Sequence, residues 1–527
     1  LNDKNEIRLI DIIELNVSGF FIHLLYITVV NIFHPINSWL LIIPSFGILF
    51  SWKQILTLFF IIKRKIATEN LIVITILFIP MLFWISNLSL GILKYESAYY
   101  VQKIRWAQQF PLVPGLANLD SYYGLDSAHF LHLAFFDNII FISNTFWTFG
   151  GYLLVLGYLY FFAIPTYKII TVASIPLSSL MRIIFTPILI HNCFYLHPGP
   201  ITDLPVFIFG SMLAVEIFRK IFEHENNLDF ILICICLGFT SKLSFSPTAI
   251  LSLIIIIYFW KTENFIKDRV FNLVFLFVII GLSLQLYRNI VLTGYPLYPN
   301  NAISLPVKWK VEKMEVENLS KDISDWAMGI RHTAHLPAEN IKQIKKEWLK
   351  TRLLLQHRRV ETLIPIILGL TGAIYLFLIR IVSFKSLGLF LLPAIGQICL
   401  WYFHAPDGRF VTWAFWWIGS GLICFLINDI FLRKYLIFVP ISLLFLSFSI
   451  HTIDAIGQVK EIIITNPSTI KPRIPDSFIY TTESGLNIFV PHSNKKCDDC
   501  NLPCTETPKP NLRLVQKGEI ASGFILE

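Results

Sequence analysis

Charge is scarce in this chain. Only 15% of its 527 residues are Asp, Glu, Lys or Arg, against 55% hydrophobic residues and a mean hydropathy of +0.64. Soluble globular proteins carry nearer a quarter charged residues, so this shortage excludes them and leaves an integral membrane protein. Several chemical signatures are missing as well. The sequence has no Walker A loop, no Gly-rich dinucleotide fingerprint, no His-Glu-x-x-His and no Gly-x-Ser-x-Gly elbow. No internal repeat is visible, which withholds support from an inverted-repeat transporter. No cleavable signal peptide is expected, because the first apolar run begins near Gly19 after a mixed-charge stretch and no small-residue cleavage site follows it. The net charge of +8 is modest for this length, is covered by basic loops on one side of a membrane, and does not imply nucleic acid.

What is present is apolar sequence of membrane length. About thirteen candidate spans are expected, at 19–34, 38–60, 70–92, 145–164, 169–190, 203–218, 227–242, 246–260, 270–287, 362–380, 386–403, 411–428 and 435–452. The expected fold is an all-α polytopic membrane protein with outer-face amphipathic helices and a small soluble C-terminal tail. Its segments are 1–92 (membrane helices), 93–144 (first large outer loop), 145–287 (membrane helices), 288–361 (outer loop), 362–452 (membrane helices) and 453–527 (tail). With these spans, Lys63-Arg64-Lys65, Arg219-Lys220, Lys261 with Lys267 and Arg269, Arg380 with Lys385, and Arg433-Lys434 all fall on one side. The positive-inside rule makes that side cytoplasmic, with the N-terminus there and the C-terminus outside. A composition rich in Ile, Lys, Asn and Phe suits a bacterial inner membrane.

Polar residues stranded beside apolar runs gather on the outer side. Glu96 follows directly on the run Leu71 to Ile92, where an acid stays ionised beside low-dielectric walls. Asp120 and Asp126 lie in the polar, aromatic segment behind it. Asp203 opens a helix, where a plain N-terminal cap is the alternative. Lys242 sits between two apolar segments, and a snorkelling lysine is the simpler reading there. Arg288 stands at the outer end of its helix, and Ala405-Pro406-Asp407-Gly408-Arg409-Phe410 is a tight turn with an acid and a base two residues apart. Acids together with cations at one interface suit a reaction that needs a base and a cradle for phosphate. Asn340 to Arg359 places Ile341, Ile344, Trp348, Leu349 and Leu353 at helical spacing among Lys and Arg, which reads as a helix lying in the headgroup plane.

The cysteines divide in two. Cys193, Cys234, Cys236, Cys399 and Cys424 lie in or beside apolar runs and read as inert small hydrophobes. Cys497, Cys500 and Cys504 crowd the polar tail. A disulfide among the three, leaving one thiol free, is expected on an outer face. A zinc site completed by His492 is the alternative.

At these residues the chain resembles the GT-C superfamily of polytopic glycosyltransferases, and most closely a group of large, poorly characterised bacterial membrane proteins within it. The matching pieces run in order: Tyr95-Glu96, Val113-Pro114-Gly115-Leu116-Ala117-Asn118-Leu119, Thr202-Asp203-Leu204-Pro205, Lys242-Leu243-Ser244, Arg288-Asn289 with Gly294-Tyr295, Ala405-Pro406-Asp407 with Arg409-Phe410, and Leu502-Pro503-Cys504-Thr505 then Asn511-Leu512-Arg513-Leu514. In that group the first-loop acid is usually Asp, here Glu96, and Asp120 and Asp126 stand where His and Asn are expected. The resemblance implies an inverting transfer of a sugar from a polyprenyl-phosphate donor to a glycan, lipid or protein acceptor at the outer face. It implies Glu96, with Asp120 and Asp126, as catalytic acids, Lys242, Arg288 and Arg409 as donor-phosphate ligands, and Asp203 and Asp407 as orienting partners. No cofactor is required. Some relatives use a divalent cation, which Glu96 with Asp120 or Asp126 could hold. Membrane lipids are the expected surroundings, and a non-catalytic transporter, flippase or assembly subunit for lipid-linked glycans is the rival function.

Overall fold

The computed structural model describes residues 9–50, 99–138, 148–171, 175–195, 200–263, 268–328, 359–430, 474–492 and 496–527, with a few isolated positions between them. The protein is mostly helical. Among the described residues six helices are long and apolar enough to cross a membrane: Ile13–Phe33, Phe149–Ile169, Leu243–Thr262, Arg269–Thr293, Val360–Ile379 and Phe384–His404. A membrane protein of packed helices accounts for what these helices show to the outside. Ile367, Leu370, Ile374 and Phe377 recur at intervals of three and four along one helix face, and each is more than half exposed. Such a stripe would be a liability in water and is ordinary against hydrocarbon.

The expected count of about thirteen spans is not supported. The 227–242 run forms a helix of only 14 residues, Leu228–Ser241, too short for the hydrocarbon core by itself. Asp203–Phe222 has the length but carries Asp203, Glu216, Arg219 and Lys220. Pro176 and Pro187 punctuate the 169–190 run, which resolves into Ile164–Thr171, Leu177–Ile184 and Thr186–Tyr195. Of the second candidate, the described residues show the apolar helix Ser38–Gly47, and most of 51–60 lies outside them. The spans 70–92 and 435–452 and the amphipathic segment 340–359 lie outside the described residues, apart from isolated positions.

Asp203–Phe222 is the axis of the bundle and is buried along almost its whole length. A carboxylate so placed must be paired. Glu216 accepts hydrogen bonds from Tyr160, Arg182 (3.1 Å), Arg219 (2.6 Å) and Asn227 (2.6 Å), which binds several segments to one buried charge. Elsewhere the helices meet through small residues. A Cβ on Gly372 would lie 2.5 Å from the backbone of Leu422, so only glycine allows Val360–Ile379 to approach Thr412–Ile430 this closely.

The bundle has two chemically distinct ends. At one, Lys220 pairs with Glu263 (2.6 Å) and Lys385 donates to Tyr258 (2.7 Å). At the other, Asp203 meets Lys242 and Arg409. The basic clusters Arg219-Lys220, Lys261 and Lys385 therefore share the end away from the candidate site.

The all-α character holds for the apolar bundle, and the little sheet among the described residues lies in the tail. The tail forms two small antiparallel pairs: β1 (Ser477–Thr481) with β2 (Asn487–Pro491), and β3 (Leu512–Leu514) with β4 (Phe524–Leu526). Ser477 pairs with Pro491 and Thr481 with Asn487, while Leu512 pairs with Leu526. This unit docks on the segment that contains Pro114 to Asn118. The Phe524 amide donates to the Pro114 carbonyl (2.9 Å), and Asn118 donates to the carbonyls of Phe524 and Trp309 (3.0 Å each). Gly115 has φ +62°, and a Cβ there would meet the Phe524 carbonyl at 2.2 Å. The Val113–Leu119 motif is thus a socket for the tail.

Candidate functional site

The end carrying Asp203 opens into a cavity of about 1470 Å³. Its walls come from residues between Tyr99 and Phe130, the connections after Leu228–Ser241 and Phe384–His404, the helix Lys313–Ala327, and the tail. Asp120, Asp126, Asp203, Lys242 and Arg409 all contribute to the lining.

Lys242 and Arg409 make the cationic corner. Lys242 ends the helix Leu228–Ser241 in extended backbone (φ −159°, ψ 124°), which turns its side chain out of the helical repeat. Arg409 sits in a short turn fixed by Asp407, whose carboxylate accepts the Arg409 amide (3.1 Å). Both cations converge on Asp203 at the start of the axial helix, Lys242 by a direct ion pair and Arg409 at 3.6 Å. Aromatic faces complete the holding. The Lys242 ammonium lies 3.8 Å from the Phe410 ring centre, and the Arg409 guanidinium 4.3 Å from that of Trp326. Asp203 is 4% exposed, whereas Lys242 and Arg409 keep 25% and 20% of their side chains accessible. The acid is behind and the cations face the opening. Burial pulls the Lys242 pKa below its usual value, with Asp203 working against that shift.

Arg288 goes elsewhere. It donates to Asp126 through Nε (2.7 Å) and Nη2 (3.3 Å) and to Asn31 through Nη1 (2.9 Å). Lys103 stands 3.5 Å from the other Asp126 oxygen, donates to the Tyr123 carbonyl (2.7 Å), and Gln285 adds a hydrogen bond to Asp126 at 3.2 Å. Burial works to raise the Asp126 pKa, but Arg288 and Lys103 together hold it well below the usual carboxylate range. Both oxygens are committed to cations, so Asp126 does not fit a metal ligand or a base. Asp120 is different. Its oxygens accept from the Tyr122 amide (3.0 Å) and the Thr505 hydroxyl (3.1 Å), and burial pushes its pKa up. Among the described residues no group of three or more His, Cys, Asp or Glu is arranged to hold a metal ion. Glu96 lies outside the described residues, and Tyr99, three positions on, lines the cavity.

Lys103 was not singled out in the sequence, where it is one polar position in the short helix Tyr100–Gln109. Burial depresses its pKa from 10.5 to about 8, partly offset by Asp126. Between about pH 8 and 10.5 the unfolded chain therefore holds a proton that the folded chain has lost. Stability rises with pH across that window, and the burial penalty is complete below it. Melting temperatures of wild type and Lys103→Met, measured from pH 7 to pH 10, test this: the wild type gains relative to the variant as pH rises.

In the tail, Cys497 is bonded to Cys504 and Cys500 is a buried free thiol. The disulfide consumes two of the thiolates that a zinc site with His492 would need, which removes that alternative.

A family model described as Domain of unknown function (DUF8201) matches residues 4–416. The chain belongs to this family. No curated protein and no solved structure matches it. The DUF8201 match spans Asp120, Asp126, Asp203, Lys242, Arg288, Asp407 and Arg409. The tail residues that complete the cavity wall, among them Cys497, Glu506 and Lys509, lie beyond it.

Proposed function

We propose that this DUF8201 chain is an inverting glycosyltransferase of GT-C type. It moves a sugar from a polyprenyl-phosphate-linked donor to a glycan, lipid or protein acceptor at the outer face of a bacterial inner membrane. The observation that carries this reading is the pair Lys242 and Arg409, held from behind by Asp203 and open to a large cavity at one end of a bundle of apolar helices. Two hydrogen-bond-donating cations fixed before a substrate arrives are what a departing phosphate requires as its charge grows. Because they are already paired and stacked, little reorganisation accompanies the reaction.

Glu96 is the proposed base. It stands three positions before Tyr99, which lines the cavity. A carboxylate there would take the acceptor proton as the hydroxyl attacks the anomeric carbon opposite the phosphate. Asp120 faces the same cavity and positions the wall through Thr505. Arg288 and Asp126 act as a mutually neutralising strut below it. An orientation with the N-terminus cytoplasmic and the C-terminus outside belongs to this reading too. The Cys497–Cys504 disulfide supports an outer location of the cavity, since such bonds persist in oxidising compartments.

Glu96→Gln tests the assignment. Envelope glycans and lipid-linked sugars are profiled by mass spectrometry in cells carrying either form at equal expression. Loss of a product with accumulation of its donor is expected for the variant. An unchanged profile would remove Glu96 from the chemistry.

A further inference from the structure

The run Cys497-Asp498-Asp499-Cys500 is given no role in the transfer proposed above, yet it is built into the cavity wall. Cys497 itself lines the cavity, and so do Glu506, Thr507 and Lys509 just after Cys504. The three cysteines form one buried cluster packed against Phe489. Cys497 is bonded to Cys504, seven positions on. Cys500 is kept near it, because the Cys500 amide donates to the Cys497 carbonyl (2.8 Å) and closes a four-residue turn. Turns of this kind bring their first and last Cα atoms within about 7 Å, a separation that overlaps the range a disulfide bridges. Asp498 at φ +42° tightens the turn, and Asp499 is clamped by Arg105 through two hydrogen bonds of 2.6 and 2.9 Å. Gln102 donates to the carbonyls of Asp498 and Cys500 (3.1 and 2.9 Å). Gln102 and Arg105 thus fix the turn that carries Cys500, whose thiol donates to Ser477 (3.4 Å) and lies in one cluster with a disulfide it is not part of.

We infer that Cys497 is the pivot of an intramolecular thiol–disulfide exchange centre, in which Cys500 and Cys504 compete for it. The Cys500 thiolate attacks Cys497 Sγ, the Cys497–Cys504 bond breaks, and Cys504 leaves as a thiolate that takes up the proton Cys500 gave up. One thiol and one disulfide stand on each side, so no external oxidant or reductant is consumed. The exchange matters because Cys504 anchors a functional wall. Its carbonyl accepts from Tyr123 (2.9 Å), and the next residue, Thr505, donates to Asp120. Release of Cys504 removes the covalent tether of that segment, which keeps its hydrogen bonds to Phe489, Tyr123 and Asp120. The inference stands whether or not the cavity performs transfer.

Disulfide mapping of the full chain in membranes is the test. Membranes are incubated with a trace of glutathione to speed exchange, quenched with acid, alkylated and digested, and linked peptides are read by mass spectrometry. The wild type is expected to give Cys497–Cys500 peptides at about one tenth or more of the Cys497–Cys504 level, and Cys500→Ser only the latter. Cys504→Ser is expected to form the Cys497–Cys500 bond. Wild-type chain with Cys497–Cys504 alone and Cys500 alkylated throughout would overturn the inference. A folded Cys504→Ser chain with both remaining thiols alkylated would overturn it as well. If that variant does not accumulate, the wild-type map decides alone.

Discussion

Asp126→Ala is expected to cost about 3–5 kcal/mol of stability, because it strands two buried cations. Lys103 and Arg288 are each about 5% exposed or less and share Asp126 as the carboxylate between them. With it gone, an ammonium and a guanidinium face one another without compensation, and Asn31 and Gln285 supply only neutral partners. The damage spreads beyond one loop, since Asn31 belongs to the first long helix and Arg288 to Arg269–Thr293. Thermal unfolding in detergent reads the loss. The double variant Asp126→Leu with Arg288→Met is expected to be more stable than Asp126→Ala, since a neutral pair of similar volume strands fewer charges. The sign with pH is fixed as well. The Asp126 carboxyl is held below its ordinary value, so its stabilising contribution is complete above about pH 4 and fades as pH falls toward the folded-state value.

That network marks where sequence reading stops. Asp126 was legible as an acid in a polar, aromatic segment and Arg288 as a cation at a helix end, and the structure does bring them together. Which cation serves which acid was not legible. The partners are 162 positions apart, and no periodicity records such a pairing. Arg288 looked like a phosphate ligand for the same reason Lys242 did, a cation at a helix end, and only packing separates the buried strut from the exposed corner. The corner itself was better encoded, because Asp203, Lys242 and Arg409 each sit at a helix boundary or tight turn that constrains where the backbone goes. Helix length was encoded unevenly. The 362–380 run reads plainly as a span and falls on the helix Val360–Ile379, whereas the buried 14-residue helix Leu228–Ser241 has the same apolar character with too few residues. Gly115 and Asn118 stood in a recognisable motif, but their work in seating Phe524 depends on a strand some 400 residues later. Trp326 is one aromatic in a polar helix until Arg409 is stacked on it.

Lys242→Met is the change expected to act most strongly on function while sparing the fold. The side chain is a quarter exposed, and methionine keeps the apolar stem against Phe410. Asp203 retains Arg409 at 3.6 Å, so no carboxylate is left without a cation. Stability should therefore change by little more than about 1 kcal/mol, the ordinary scale of a single substitution. Transfer is a different matter. A preorganised donor aimed at charge that develops in the transition state contributes about 100-fold to 1000-fold in rate. On the proposed reading, Lys242→Met loses that much turnover with a smaller change in donor binding, because the carrier's lipid contacts are untouched. Arg409→Lys separates charge from geometry. It keeps a cation near Asp203 but gives up the planar stack on Trp326 and the forked donor set, so an intermediate loss is expected. Both are measured as release of labelled sugar from a polyprenyl-phosphate donor in membranes of matched expression. If Lys242→Met turned over at the wild-type rate, the cationic corner would be a structural pair and the transferase reading would lose the observation on which it rests.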